Sequence, residues 1–433
     1  MISKDAKQGF LMKNLIYIIA SAFFFALSKG EHQLFLLATI AVILCALAFS
    51  SLEHKFCWAL FLVPNIRLFD TLGTTSIVNI LFVVPLLFYM SGLKGRIKPF
   101  PLVAAAFLLC TELLHKIAQN ESFLDLFGWI LAFVWCCYVT LDKKMIVSKD
   151  DATYALTFGV LFSGILFLLN TPQMANNLID NVLVGHRFEA YASDPNAYST
   201  YVCLAAAALA IKKTIKLRDF FLFAALFFLG FLTTSKMGVG VLIIIVIYLV
   251  ARLLKDCNTS LKKVAVLLGV LGIIILTGDF FARFFEGLID RAGGNNMTVD
   301  TLTSNRFSIQ ADYLNILLTD LQTFFFGRGF SYYQHLITIT SQQAHNTYFD
   351  LVLSWGIAGT LLFLLIMTQW QIQYKNRWGA QRFTRRSKIP LLVLLLCFMS
   401  LSLFDAGMFF FVIAFCMIQL EPVQIGALVN VER

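Results

Sequence analysis

Charge is what this sequence has least of. Charged residues make up 14% of its 433 positions, where a soluble domain carries about 25%. It also lacks any CxxC pair and any zinc-ligand spacing. Eight of its nine cysteines (Cys45, Cys57, Cys110, Cys136, Cys137, Cys203, Cys397 and Cys416) sit inside apolar runs, and Cys257 lies in a basic loop. They read as small membrane hydrophobes, so neither a structural disulfide nor a metal centre is expected. No small-residue cleavage site follows Lys4, Lys7, Lys13 and the first apolar run, and that run reads as a retained first helix. Hydrophobic residues, by contrast, reach 59%, with mean hydropathy +0.78. A soluble globule of this composition would leave large apolar patches in water. A soluble enzyme, a disordered chain and a nucleic-acid binder are therefore excluded, and the chain reads as a bilayer protein.

A membrane helix needs about 20 apolar residues. Such runs fall near 14–28, 33–50, 56–69, 75–91, 100–117, 122–141, 154–170, 197–211, 219–233, 237–254, 264–279, 346–370, 389–405 and 408–420. The expectation is an all-α, polytopic integral membrane protein with about 14 transmembrane helices in a single membrane domain over 1–433. The basic residues test that count. With 14 alternating spans, 25 of the 34 Lys+Arg fall on the side of the two termini. The other side keeps nine: Lys29, Arg67, Lys116, Arg187, Lys236, Arg283, Arg291, Arg306 and Arg328. Cytoplasmic loops collect Lys and Arg, so both termini are expected in the cytoplasm.

Two outer connections are long, 171–196 and 280–345, and long loops in a compact protein usually carry function. The first holds Arg187, Glu189, Asp194 and Asn196 within ten residues. Asp194-Pro195-Asn196 is turn and helix-capping chemistry. The second opens on GDFFARFFEGLID, which reads as an interfacial amphipathic helix. After the break at Gly293–Asn296 comes a helix from about Arg306, with Phe307, Tyr313, Leu314, Leu317 and Leu321 as its apolar stripe. It ends at Gly327-Arg328-Gly329, a tight turn expected to expose Arg328. His345 and Asn346 stand where the chain re-enters the membrane. Any one of these arginines is equally explained by headgroup anchoring. Arg187, Arg306, Arg328 and His345 together suit a lipid-linked pyrophosphate, because guanidinium forks pair with phosphate and histidine exchanges a proton near neutral pH. Arg67, after Pro64-Asn65, and Lys236, in TTSKMG, are ionisable groups at or near membrane depth. Such groups either snorkel to the interface or face a polar cavity. Glu112 and His115, one turn apart, could simply pair with each other. No DxD motif occurs in the outer loops, which suggests a reaction without metal or other cofactor.

The segments RFEAYASDPNAYSTYVCLAAAALA (187–210), TTSKMGVGVLIIIVIYL (233–249) and SNRFSIQADYLNILL…FGRGF…HNTYFDLVLSWGIAGTLLFLL (304–365) resemble the O-antigen polymerase and O-antigen ligase superfamily of bacterial membrane proteins. In order and spacing the likeness spans roughly 185–370. The superfamily commonly has arginine where this chain has Lys236. The resemblance implies a GT-C-like glycosyltransferase in the bacterial plasma (inner) membrane, with its site facing the periplasm. Its donor and acceptor would be undecaprenyl-pyrophosphate-linked glycans, and membrane lipids, a chain-length regulator and a flippase would be its partners. The DPN segment looks more like Wzy-type polymerases of O-antigen, capsule or exopolysaccharide than like ligases. A ligase remains the first alternative, and a transporter of the lipid-linked unit, of which no repeated halves are visible, the second. The catalytic set expected is His345, Arg187, Arg306, Glu189 and Asp194. The residues expected to hold substrate are Arg328, Lys236, Asn196, Asn346, Tyr313 and Arg67.

Overall fold

The computed structural model describes residues 9–28, 32–65, 67, 99–119, 124–142, 145–172, 187–192, 194–256, 306–330, 332–336, 342–378, 385–403 and 408–420, with isolated positions between 278 and 298. The expected spans at 75–91 and 264–279 fall outside these residues or nearly so. So do most of the first long loop and, of the expected interfacial helix, Asp279, Phe280, Phe281, Phe284, Leu288 and Asp290. The described segments are helical, with no strand among them: α1 (Phe10–Ser28), α2 (Gln33–Phe49), α3 (Leu52–Leu62), α4 (Pro99–Gln119), α5 (Leu124–Leu141), α6 (Lys149–Asn170), α7 (Pro195–Ile211), α8 (Leu217–Leu232), α9 (Lys236–Asp256), α10 (Arg306–Thr319), α11 (Leu321–Phe326), α12 (Tyr332–His335), α13 (Thr347–Arg377), α14 (Ile389–Cys397) and α15 (Met408–Gln419). Five of them, α1, α4, α6, α9 and α13, are long and apolar enough to cross a bilayer, and four shorter apolar helices accompany them. The chain is a polytopic, all-helical membrane protein.

The helix α7 sits at the centre. Every residue from Pro195 to Ala210 is buried, as expected of a helix that is apolar all round. Its run of alanines lets neighbours come close, and glycines on those neighbours complete the fit. A Cβ on Gly238 of α9 would lie 1.6 Å from Ser199 Oγ, and one on Gly164 of α6 would lie 2.5 Å from the Tyr198 hydroxyl. The same device joins α3 to α6, where a Cβ on Gly159 would meet the Phe61 carbonyl at 2.3 Å.

Three expected spans differ in form. The run at 56–69 is an 11-residue helix followed by a 3-10 turn at Val63–Asn65. Eleven residues rise about 16 Å, half of a hydrocarbon core. Pro64 and Asn65 end it, and Asn65 Nδ2 donates to the carbonyls of Phe61 and Gly159. Among its described residues, the run at 389–405 is helical only over the nine of α14. Beyond it, the Phe398 and Leu401 carbonyls accept from Thr347 N–H and Thr347 Oγ1. Non-helical backbone is tolerated at this depth where protein surrounds and satisfies it. The run at 346–370 is broken at Gly356, with φ 61° and ψ −173°. That conformation is open to glycine alone.

The helix ends sort by charge. Lys149, Lys212, Arg218, Arg252, Arg377 and Arg386 gather at one face. The starts of α7, α9, α10 and α13 lie at the other.

Candidate functional site

The segment 187–192 is held down by its aromatic residues. Phe188 is fully buried, edge-on to Phe167 and Tyr198. Tyr191 meets Phe25 and Phe167, accepts a hydrogen bond from Asn170 Nδ2 at 3.0 Å, and donates its N–H to Ser163 Oγ at 3.0 Å. Two backbone bonds tie the segment to its neighbours: Phe188 N–H to the Leu232 carbonyl, and Arg67 N–H to the Tyr191 carbonyl. The polar residues between these anchors, Arg187 and Glu189, are thereby fixed against the start of α7.

There Asp194 caps α7 as the spacing predicts. Its Oδ1 accepts from the N–H groups of Asn196 (2.7 Å) and Ala197 (3.1 Å). The side-chain oxygen of Asn196 is shared by two donors, Arg187 Nη2 at 2.9 Å and Ser235 Oγ at 2.9 Å. This junction aims the arginine and brings in the α8–α9 hairpin, with Lys236 as the first residue of α9. Ser235 has no place in the sequence reading. Its position beside Lys236 in TTSKMG was the available signal.

The second loop arrives from the other side. Gln310 Nε2 donates to the Ala344 carbonyl, and the Tyr332 hydroxyl accepts from Ala344 N–H while donating to Asp350 at 2.8 Å. Asn346 caps α13 through Tyr348 N–H and Phe349 N–H. His345, between these anchors, is fixed where its imidazole senses Arg306, Asp194 and Arg187.

The charges form one group. Burial leads in lowering the His345 imidazole below the ordinary histidine value; Arg306 and Arg187 add to this, and Asp194 opposes them. His345 is therefore neutral at neutral pH and able to accept a proton. Burial raises the Glu189 carboxyl, with Arg67 pulling it down, Asp194 up and Arg187 down. Burial lowers both guanidinium values, and for Arg306 the nearness of Arg187 adds to the effect. Both start so high that they stay charged. Arg187 reaches solvent, yet the protein around it desolvates the rest of the side chain. Two arginines this close, with Arg67 beside them and Asp194 already occupied as a cap, leave a net positive site.

The backbone adds to that field. Four helices begin here: α7 at Asp194, α9 at Lys236, α10 at Arg306 and α13 at Asn346. Each N-terminus carries roughly half a positive charge. Lys236 and Arg306 sit at those starts, where a cation is electrostatically disfavoured. Among the described residues, three non-glycine positions have positive φ: Ala190 (49°), Thr234 (50°) and His345 (50°). One lies in each of the three segments that build the site. Strain of this kind, about 1–3 kcal/mol per residue, persists where surrounding structure over-determines it.

The remaining expected residues are placed elsewhere. Arg328 is not exposed on a free turn. Its guanidinium pairs with Asp320 and donates to Thr323 Oγ1 at 2.6 Å. The Thr323 hydroxyl leads in holding the Asp320 carboxyl down to about 2, with its N–H and Arg328 adding to the effect. Tyr313 is fully buried against Tyr332 and donates to the Gln342 carbonyl, inside a small core of the second loop. Glu112 does not simply pair with His115. Its two oxygens accept from Phe330 N–H (3.0 Å) and Trp355 Nε1 (2.7 Å). Among the described residues no group of His, Cys, Asp and Glu has the arrangement of a metal site.

Residues 221–364, about a third of the chain, match a family model described as O-antigen ligase. The match runs from α8 into α13 and takes in Ser235, Lys236, Arg306 and His345. It supports the superfamily of O-antigen ligases and polymerases, whose members are glycosyltransferase-like enzymes, and a multi-pass bacterial membrane protein. No curated protein and no solved structure matches the chain.

Proposed function

We propose that this protein is a membrane glycosyltransferase that polymerises oligosaccharide repeat units carried on undecaprenyl pyrophosphate, at the outer face of the plasma membrane. The observation that carries the reading is the meeting of Arg187, Arg306 and His345 with four helix N-termini at one face of the bundle. A diphosphate between two guanidinium groups and the positive ends of several helices would be neutralised by groups already in place.

The chemistry follows from that placement. An acceptor sugar hydroxyl attacks the anomeric carbon of the donor glycan. The bond from that carbon to the pyrophosphate oxygen breaks, and the electron pair leaves on undecaprenyl pyrophosphate. Arg187 and Arg306 stabilise the charge that develops there. The hydroxyl proton goes to a base, the neutral imidazole of His345 first, with the carboxylate of Glu189 or Asp194 in second place. Asp194 is the weaker of these two, since its Oδ1 already accepts two backbone N–H groups. Asn196 and Ser235 position Arg187, and Lys236 and Arg67 complete the positive field. No metal or other cofactor enters this scheme.

The description of the matching family favours a second reading, a ligase that transfers the same donor glycan to lipid A–core. The glycan profile of a deletion strain separates the two. Core carrying a single repeat unit is the expected result. Bare core, with long polymer still on the lipid carrier, would replace polymerase by ligase. A single-repeat lipid trapped on the inner leaflet would instead mean a transporter.

A further inference from the structure

At the face opposite Arg187, a cavity of about 580 Å³ opens among the ends of α6, α7 and α15 and the turn before α14. Its walls include Lys149, Lys212, Lys213, Arg385 and Arg386, with Asp150 as the one carboxylate among the described residues. Three separated stretches of chain bring these five cations together. Ala208, Ile211 and Thr153 give the cavity a floor of small and apolar side chains.

The cations differ in how far they are already engaged. Lys212 pairs with Asp219 at 3.3 Å and Asp150 at 3.5 Å, and it also meets the Tyr154 hydroxyl. Arg386 reaches Asp256 only at 3.7 Å. Lys213 and Arg385 are exposed, and no carboxylate among the described residues pairs with either. Like charges converge on a concave surface at some electrostatic cost, which a bound anion removes. A guanidinium and an ammonium together match phosphate oxygens. Basic pockets between membrane helices, at the level of the headgroups, bind phosphate-bearing lipids.

We propose that this cavity is a binding site for a phosphate-bearing ligand, separate from the glycosyl-transfer site and on the other side of the bundle. Its position at the ends of apolar helices suits the phosphodiester headgroup of an anionic lipid, the acyl chains lying along the helices. A soluble phosphate compound would satisfy the same cations.

The test uses the full chain purified in detergent, with retained lipids counted by native mass spectrometry. Phosphatidylglycerol should be retained with about tenfold or greater preference over phosphatidylcholine, since each basic residue near a headgroup contributes on the order of fivefold. The combined variant Lys213→Gln, Arg385→Gln, Arg386→Gln should lose the preference. Lys388→Gln, exposed in the same turn but outside the cavity wall, should keep it. In a second arm inorganic phosphate is titrated onto the unmodified chain and the triple variant. Binding that the triple variant loses, without any lipid preference, keeps the site and makes its ligand soluble. A lipid preference that survives the triple variant overturns the proposal. So does equal retention of the two lipids without phosphate binding that depends on these three residues. Arg187 and Arg306 are unchanged throughout, so either result leaves the proposed glycosyl transfer to stand or fall separately.

Discussion

At the scale of single residues, the site separates charge from geometry. Arg187 is aimed by one hydrogen bond, to Asn196 Oδ1, which Ser235 Oγ also engages. Arg187→Lys keeps the charge but loses the fork, and so does Arg306→Lys. Each should lower kcat/KM for polymer synthesis about tenfold or more at normal protein level, as loss of a charged hydrogen bond worth about 1.5–3 kcal/mol implies. Full activity in both variants would return these arginines to headgroup anchoring. His345 carries a sign that a pH profile can read. Burial and two arginines hold its imidazole below the ordinary value, so in the free enzyme the neutral base survives to lower pH. The acid limb of kcat/KM should therefore have its midpoint below about 6.5. A bound pyrophosphate adds negative charge beside the imidazole and favours its protonated form. The acid limb of kcat should accordingly lie at higher pH than that of kcat/KM; the opposite order would remove His345 as the base. Thr234 offers a test of strain. A β-branched residue at φ 50° is costly, so Thr234→Gly should raise the unfolding midpoint in detergent by the equivalent of about 1 kcal/mol. Ala190, Thr234 and His345 could not be recognised from the sequence as strained, because nothing in a residue type announces a positive φ. Arg187, Glu189, Asp194 and His345 were legible because polar groups beside apolar runs stand out.

At the scale of elements, a close joint couples the second loop to the broken helix α13. Breaking α13 at Gly356 frees carbonyls that the turn at 327–329 satisfies: Arg328 N–H donates to the Leu353 carbonyl and Gly329 N–H to that of Ser354, each at 2.8 Å. Thr360 Oγ1 takes the Leu351 carbonyl. The turn can come this close only through glycine. A Cβ on Gly327 would lie 2.3 Å from the Ser354 carbonyl oxygen, and one on Gly356 would lie 2.3 Å from that of Phe325. Both have positive φ besides. Glu112 of α4 clamps the joint by accepting from Phe330 N–H and Trp355 Nε1. Glu112→Ala strands two buried donors, at about 1–3 kcal/mol each. It should lower the unfolding midpoint clearly, with Glu112→Gln in between because its amide keeps one acceptor. An unchanged midpoint in Glu112→Ala would show the clamp to be dispensable. The break in α13 and the clamp at Glu112 were not legible beforehand. An unbroken apolar run from 346 to 370 reads as one span, since hydropathy records composition and not the backbone conformation of one glycine. Gly327-Arg328-Gly329 was legible as a turn, but what it docks against lies in another helix.

At the scale of the whole molecule, the sorting of helix ends by charge turns a sequence count into a geometric constraint. The helix α7 has 17 residues and rises about 25 Å from Asp194 to Ile211. Arg187 at its start and Lys213 beyond its end must therefore lie on opposite faces. Arg306 senses Arg187 and Asp194, so the second loop shares the first of those faces. Alternation of basic residues already grouped the loops this way, because short loops with excess Lys and Arg resist translocation. What that rule could not supply was which residues of two loops, more than a hundred positions apart, come together. Reporter fusions after residues 187 and 320 should both read periplasmic, and a fusion after residue 215 should read cytoplasmic. A pattern reversed at all three positions would keep the cluster intact but turn it toward the cytoplasm. The donor would then have to be polymerised on the inner leaflet, and the proposed reaction would be wrong about its compartment. Opposite readings at 187 and 320 would be more damaging. Arg187 and Arg306 would then be divided by the bilayer, and no single diphosphate could meet both.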